Sequence, residues 1–192
     1  MYSDMAEILS EGQIGDFALE KYEIERGNSA AAFQGISPGK YIKLTYRGGI
    51  VMSNTSMEKH TNDHFVNYAH GDVLIGGLGI GLILLAIQDK PDVNSITVIE
   101  KSQEVIDLVA PQLPLNDKVK IVCDDAFTYK PGKKYDCIYM DIWDTINSDI
   151  YQNSMVPLKR KYGHYLKSLS ESPRRFNICW AEYQAKNNRR LY

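Results

Sequence analysis

The stretch Val73-Leu74-Ile75-Gly76-Gly77-Leu78-Gly79-Ile80-Gly81 decides how this chain is read. Its opening residues are bulky and apolar, as a buried strand requires, and glycines then recur at Gly77, Gly79 and Gly81 before an unbroken apolar run from Leu82 to Ile87. The pattern predicts a strand over 72–76, a glycine turn, and a helix over 81–88 that is apolar all round and therefore buried. Glycine lets the backbone bend sharply and lets a ligand approach the peptide plane. The helix start adds free N–H groups and a partial positive charge. Taken alone, G-x-G-x-G fits equally a tight strand-to-helix turn that binds nothing.

Working outward, further strands are expected at Ser95–Glu100, Val119–Cys123 and Tyr135–Ile142, with a second helix over Gln103–Val109, where Val105, Ile106 and Val109 recur at helical spacing. Short apolar strands joined through helices form a parallel sheet covered on both faces, and right-handed crossovers align their carboxyl ends along one edge. Each expected strand ends there in glycine or acid. Glu100 closes the second, about 20 residues beyond the glycines, where such sheets hold a nucleotide ribose. Cys123-Asp124-Asp125-Ala126-Phe127 closes the third, and Asp141-Ile142-Trp143-Asp144 the fourth. Helix capping accounts for any one of these acids but hardly for all.

The rest of the chain bounds the possibilities. With 192 residues, 44% hydrophobic and 24% charged, it is one globular domain of ordinary composition, neither disordered nor collagen-like. Cys123, Cys137 and Cys179 are odd in number and never form a C-x-x-C pair, which argues against a disulfide framework and a structural zinc cluster. The longest apolar run, Val73–Ile87, is too short and too rich in glycine to cross a membrane, and nothing points to export, so a cytoplasmic protein is expected. Phe17–Arg26 and Tyr41–Tyr46 alternate charged and apolar residues. They predict two antiparallel strands in a small β-rich cap over 1–48, separated by a loop over 27–39. The remaining residues, 49–192, would form the sheet domain with a helical, basic tail.

That tail carries a hidden asymmetry. The balance of 22 Lys and Arg against 24 Asp and Glu conceals nine basic residues and only two acids from Met155 onward. A helix is expected over 155–169, a break at Ser172-Pro173 and a last amphipathic piece from about Ile178, with 174–179 as an alternative fifth strand. Lys159, Arg160, Lys161, Arg174, Arg175, Arg189 and Arg190 could meet nucleic-acid phosphates, or form a solvated face over apolar neighbours. His60 and His64 stand at i, i+4 spacing that could chelate a metal, but no third ligand is obvious, and a solvated helix face explains them as well.

Together, the glycines 77, 79 and 81, Glu100 followed by Val105-Ile106, Asp124-Asp125-Ala126-Phe127, and Tyr135-Asp136 followed by Asp141-x-x-Asp144 resemble the class I S-adenosylmethionine-dependent methyltransferase fold. Within it the chain is most similar to the spermidine synthase branch, with its G-G-G-D-G, G-D-G/A-F and Y-D-x-I-x-x-D-x-x-D motifs. The stretch 49–58 resembles that branch's D-G-x-x-Q…D-E lead-in. The resemblance spans residues 49–145. It implies a Rossmann-like, doubly wound sheet in which Gly77, Gly79 and Gly81 lie against the amino-acid part of S-adenosylmethionine. Glu100 would hold the ribose, Asp125 or Asp124 with Ala126 would face the adenine, and Asp141 with Asp144 would serve the reaction.

The departures are specific. Met52 stands for the branch's glutamine, Ile80 for its motif aspartate, Lys101-Ser102 for I-D, and no proline follows Asp144. The 49 residues after Trp143 are too few for the usual fifth strand, its helix and a terminal hairpin, so a C-terminally abbreviated sheet is expected. The resemblance therefore implies a methyltransferase with a small-molecule or unidentified acceptor. Aminopropyl transfer comes second, and a non-catalytic binding or assembly module third. No metal or membrane is implied. A homodimer built through Tyr151, Tyr162, Tyr165, Trp180 and Tyr183 is the expected assembly.

Overall fold

The computed structural model describes residues 2–33 and 35–191. After a short helix α1 (Met5–Ile8), four strands pair antiparallel in chain order: β1 (Gly12–Ile14), β2 (Phe17–Ile24), β3 (Gly39–Tyr46) and β4 (Gly49–Ser53). Alternation in β2 and β3 puts Leu19, Ile42 and Leu44 on the buried face, with Leu19 opposite Leu44. Helix α2 (Ser29–Phe33) occupies part of the stretch read as loop. Strand β4 folds back on β3 with Tyr46 facing Gly49, so the N-terminal sheet runs to Ser53. The two residues between them, Arg47 at φ 49° and Gly48 at φ 81°, both have positive φ, the requirement of the two-residue hairpin turn that matches strand twist.

The chain then enters helix α3 (Ser56–Tyr68) and strand β5 (Gly71–Gly76), helix α4 (Leu82–Ile87), strand β6 (Val93–Glu100), helix α5 (Gln103–Val109) and strands β7 (Val119–Cys123) and β8 (Cys137–Met140). Helix α6 (Ser148–Ile150), a π turn (Tyr151–Met155) and helix α7 (Val156–Gly163) follow. Strand β9 (Phe176–Cys179) and helix α8 (Glu182–Lys186) come last. The five strands are parallel in the order β7-β6-β5-β8-β9. This is the Rossmann-like, doubly wound arrangement. The fourth strand is shorter than Tyr135–Ile142, since its ladder to β5 holds only Cys137–Met140.

Of the readings left open for 174–179 the structure takes the strand, and no terminal hairpin follows it among the described residues. The helical stretch from Ser148 to Gly163 makes the crossover in one pass, lays Met155, Leu158 and Tyr162 on the sheet, and leaves enough chain for β9 beside β8. The helix also stops at Gly163 instead of running to Leu169.

Strand alternation divides the core in two. Val73, Ile75, Val98 and Tyr139 face α3, α4 and the N-terminal sheet, sharing one apolar cluster with Leu19, Ile42 and Leu44, so the cap and the parallel sheet are joined by a common core. Leu74, Ile99, Ile138 and Met140 face the α6–α7 segment. Burying a side chain such as Leu158 there stabilises the fold by about 2 kcal/mol.

From β5 the chain moves outward to β6 and β7, then returns to β8 on the other side of β5. A crevice opens at the carboxyl ends of β5 and β8, where the direction of winding reverses.

Candidate functional site

A cleft of about 660 Å³ lies over this crevice, within the range of small-ligand sites. One wall is the carboxyl edge of the parallel sheet, carrying Gly77, Gly79, Glu100, Asp124, Asp125, Ala126, Asp141 and Asp144, and the opposite wall is the N-terminal sheet, carrying Phe17, Tyr22, Tyr46 and Ile50.

The glycine turn is forced by its neighbours. Gly77, at φ 95°, donates its N–H to the Ile99 carbonyl at 2.8 Å, and a Cβ on it would run into the Asp141 backbone carbonyl. Gly79, at φ 51°, lies under the Met52 thioether, which a Cβ would displace. Gly81 begins α4, and its own side faces Leu113. The glycines thus allow β5 to turn close beneath the cleft floor.

Glu100 holds the same turn. Its carboxylate accepts the Leu78 N–H at 2.9 Å with one oxygen and the Ser102 N–H at 2.8 Å with the other. Each oxygen has two lone pairs, so the group keeps capacity for two further donors, as a ribose diol offers.

At the end of β7 the two acids diverge. Asp124 turns back on its own loop, accepting from the Asp125 N–H at 2.7 Å and the Thr128 hydroxyl at 3.3 Å. Asp125 pairs with Lys101 at 2.9 Å and accepts the Phe127 N–H. Lys101 first, and that N–H second, hold its pKa below the usual carboxylate range. Ala126 is buried, and its carbonyl accepts both the Lys161 ammonium at 2.9 Å and the Tyr162 hydroxyl at 2.8 Å. Helix α7 therefore pins the loop that follows β7.

The other end of the cleft has a different character. Asp141 follows β8 and opens onto the cleft, yet the protein around it is dense. Burial, and secondarily the neighbouring Glu58 carboxylate, drive its pKa well above the ordinary range. Glu58 is itself pushed up to about 7 by burial, which the nearby Ser53 N–H only partly offsets. Among the described residues neither carboxylate forms an ion pair, and Lys101, which lines the cleft, is occupied by Asp125. Asp144 stands exposed at the mouth.

Glu58 is the residue the sequence reading passed over. It sits in the first turn of α3 and shares a face at i, i+3, i+4, i+7 spacing with Thr61, Asn62 and Phe65. Thr61 accepts from the Trp180 indole at 3.1 Å, Asn62 accepts from the Tyr139 hydroxyl at 2.7 Å, and Phe65 stacks on Tyr139 at 4.2 Å. That face docks α3 on the sheet and leaves its first turn lining the cleft that Asp141 also lines. The buried spacing was the available signal.

The tail is also reassigned in part. Lys159 pairs with Glu182, Lys161 with the Ala126 carbonyl, and Lys167 with Asp72 and Asp136, so these cations serve the chain itself. Tyr162 and Trp180 are buried in the cores, Trp180 at the cleft, and are not available to a second copy; Tyr183 remains exposed. His60 is exposed beside Asp63. Among the described residues no helix is long and apolar enough to cross a membrane.

No family model matches the chain. Spermidine synthase from Thermotoga maritima superposes over 83% of this chain and 52% of its own, with 16% identity and a TM-score of 0.53. N-methyltransferase NodS from Bradyrhizobium japonicum WM9 covers 58% of this chain and 63% of its own, with 13% identity and a TM-score of 0.47. The fold is that of the class I S-adenosylmethionine-dependent methyltransferases. The spermidine synthase shares that fold over most of this chain. In sequence, the polyamine aminopropyltransferase of Pyrobaculum calidifontis is 33% identical over 91 residues, 41% of this chain. The match takes in about a third of that relative's length, 32%.

Proposed function

We propose that the chain is an S-adenosylmethionine-dependent transferase, in first place a methyltransferase. The observation that supports this most is the division of one cleft into two unlike ends. At one, a glycine turn tied to Glu100 faces open space. At the other, Glu58 and Asp141 both line the cleft with no ion-pair partner among the described residues. The residues fit the cofactor: Gly77 and Gly79 would accommodate its amino-acid part, Glu100 its ribose, and Asp125 with Ala126 its adenine, while Gly81 faces Leu113 away from the cleft.

When bound, S-adenosylmethionine supplies an electrophilic methyl carbon, which forms its new bond with the acceptor's lone pair while the carbon–sulfur pair leaves with sulfur. Such a displacement needs chiefly alignment, with reacting atoms about 3–3.5 Å apart. Glu58 and Asp141 hold and orient the acceptor. An ordinary aspartate is a feeble base, but a carboxylate raised to about 7 is suited to take the acceptor's proton near neutral pH. Asp141 favours a cationic acceptor because a positive charge between the acids relieves their repulsion.

Aminopropyl transfer from decarboxylated S-adenosylmethionine is the second reading, favoured by the Pyrobaculum relative. Met52 over Gly79, where that branch carries glutamine, counts against it.

Isothermal titration with S-adenosylmethionine, its decarboxylated form, S-adenosylhomocysteine and NAD tests the reading. S-adenosylmethionine is expected to bind best, and Glu100→Ala to weaken it by about 2 kcal/mol, roughly 30-fold. Preference for NAD would overturn the cofactor, and preference for the decarboxylated form would promote the second reading.

A further inference from the structure

We propose that Lys101 and Asp125 read the edge of a purine together, and that the base site of this cleft therefore takes a hypoxanthine nucleoside as readily as an adenine one. The proposal rests on the transferase reading, since it concerns which base the sulfur-bearing nucleoside carries.

Strand order fixes where a base would lie. Gly77 and Gly79 follow the carboxyl end of β5, Glu100 closes β6, and Asp124, Asp125 and Ala126 follow β7, and these three strands are neighbours in that order. A nucleoside whose ribose meets Glu100 and whose sulfur-bearing arm runs to the glycines points its base toward β7.

The groups waiting there are more than a lone acid. Asp124 spends one oxygen on its own loop, accepting the Asp125 N–H and the Thr128 hydroxyl. Asp125 accepts the Phe127 N–H at 2.8 Å with one oxygen and pairs with the Lys101 ammonium at 2.9 Å through the other. Lys101 first, and the Phe127 N–H second, favour the ionised form of Asp125, and Lys161 lies close enough to add to the effect. Both partners of the ion pair line the cleft. A carboxylate by itself can only accept, whereas this couple sets an acceptor and a donor side by side.

Such a couple matches two purine edges. Adenine carries an amino donor beside a ring-nitrogen acceptor, so the amino group donates to Asp125 and Lys101 donates to the ring nitrogen. Hypoxanthine carries a ring N–H beside an oxo oxygen, so the ring N–H donates to Asp125 and Lys101 donates to the oxygen. Without the lysine the oxo oxygen would face another acceptor with no proton between them, and hypoxanthine would be rejected. The pair is free to turn toward a ligand. The Lys101 side chain is 77% exposed, and an ion pair so exposed contributes little to the fold.

The test titrates the whole chain with S-adenosylhomocysteine and with S-inosylhomocysteine, its hypoxanthine counterpart. The parent is expected to bind the two within about threefold of each other. Lys101→Met is expected to weaken the inosyl ligand by about tenfold or more and the adenosyl ligand by less than about threefold, while Lys101→Arg, which keeps a donor, preserves the parent's ratio. A parent that prefers the adenosyl ligand by about tenfold or more would overturn the proposal. So would a Lys101→Met variant that leaves the ratio unchanged, which is the result if the ion pair merely ties the ends of β6 and β7 together. Those results leave the transferase reading standing, whereas failure of both ligands to bind the parent overturns that reading and the proposal with it.

Discussion

Strand β8 is flanked by an aspartate at each end, and the two live in opposite surroundings. Asp136, at the amino end of the sheet, accepts from Lys167 at 2.7 Å and from the Asp72 N–H at 2.6 Å. Its neighbour Asp72 is bound by the Ser95 hydroxyl at 2.6 Å and by Lys167 and Lys133 at 2.9 Å. Burial alone would raise both pKa values. For Asp72 the Ser95, Lys167 and Lys133 contacts outweigh it, and for Asp136 Lys167 and the Asp72 N–H do so, leaving both below the ordinary range. Asp141, at the carboxyl end, feels burial plus another acid, and its pKa rises. The same residue type on one strand thus clamps the fold at one end and stays uncompensated at the other. Paired acids hold strands together; unpaired acids facing a cleft are poised for a ligand.

The sharpest way to break the contrast is at the carboxyl end's own backbone. Gly77→Ala would drive a Cβ into the Asp141 carbonyl at a positive φ, and is expected to cost about 3–4 kcal/mol in urea unfolding and to abolish cofactor binding. Full stability in that variant would mean that β5 and β8 are not held so closely.

At the amino end, Lys167→Met leaves Asp136 without its ammonium and Asp72 with Lys133 alone. Because these groups are partly exposed, the loss is expected to be about 2–3 kcal/mol, below that of a fully buried pair, lowering Tm by about 5–10 °C. Cofactor affinity, measured by titration of the folded protein, is expected to stay the same. An affinity change without a stability change would reverse the assignment of the two ends.

Glu58→Gln should act with the opposite sign. The folded chain keeps a proton on Glu58 up to about pH 7, whereas its ordinary value is 4.5. In the window between these values the folded state binds more protons than the unfolded one, so stability falls as pH rises and the loss is complete above about pH 7. Glutamine cannot ionise, and the variant is expected to gain roughly 2 kcal/mol at pH 8 and to show a flatter pH profile in thermal unfolding. A loss at pH 8 would place Glu58 among the compensated acids.

The smallest effect tests the link between the two core clusters and the site. Tyr162→Phe removes one of two donors to the Ala126 carbonyl while Lys161 keeps the other, so about 1 kcal/mol of stability is expected to go. Cofactor affinity should drop by a few-fold through the loosened loop, read by the same titration.

Much of this was legible because it is local. The run from Val73 to Gly81 carries its own strand, turn and helix signals, and Glu100 stands where a second parallel strand must end. The hairpin that returns β4 was not legible, because it places Arg47, a residue without preference for that conformation, at positive φ beside Gly48. Nor was β9, since four residues of middling hydropathy at Phe176–Cys179 become a strand only by finding β8 as a partner. Among the acids, Glu100 was found by its spacing from the glycines. Glu58 was given no role: 49–58 was matched only as a stretch, and the helical spacing that buries one face of α3 does not say which strand end that face meets.

By itself, the order of apolar runs, glycines and terminal acids determined a parallel sheet with a ligand crevice along its carboxyl edge, since side-chain alternation and glycine's freedom act within a few residues. Which carboxylates are neutralised and which are left to bind was decided only by tertiary structure. A charge's state depends on distance, desolvation and the reach of another side chain. Lys167 comes from far along the chain to close the amino end, and among the described residues no such cation pairs with Glu58 or Asp141.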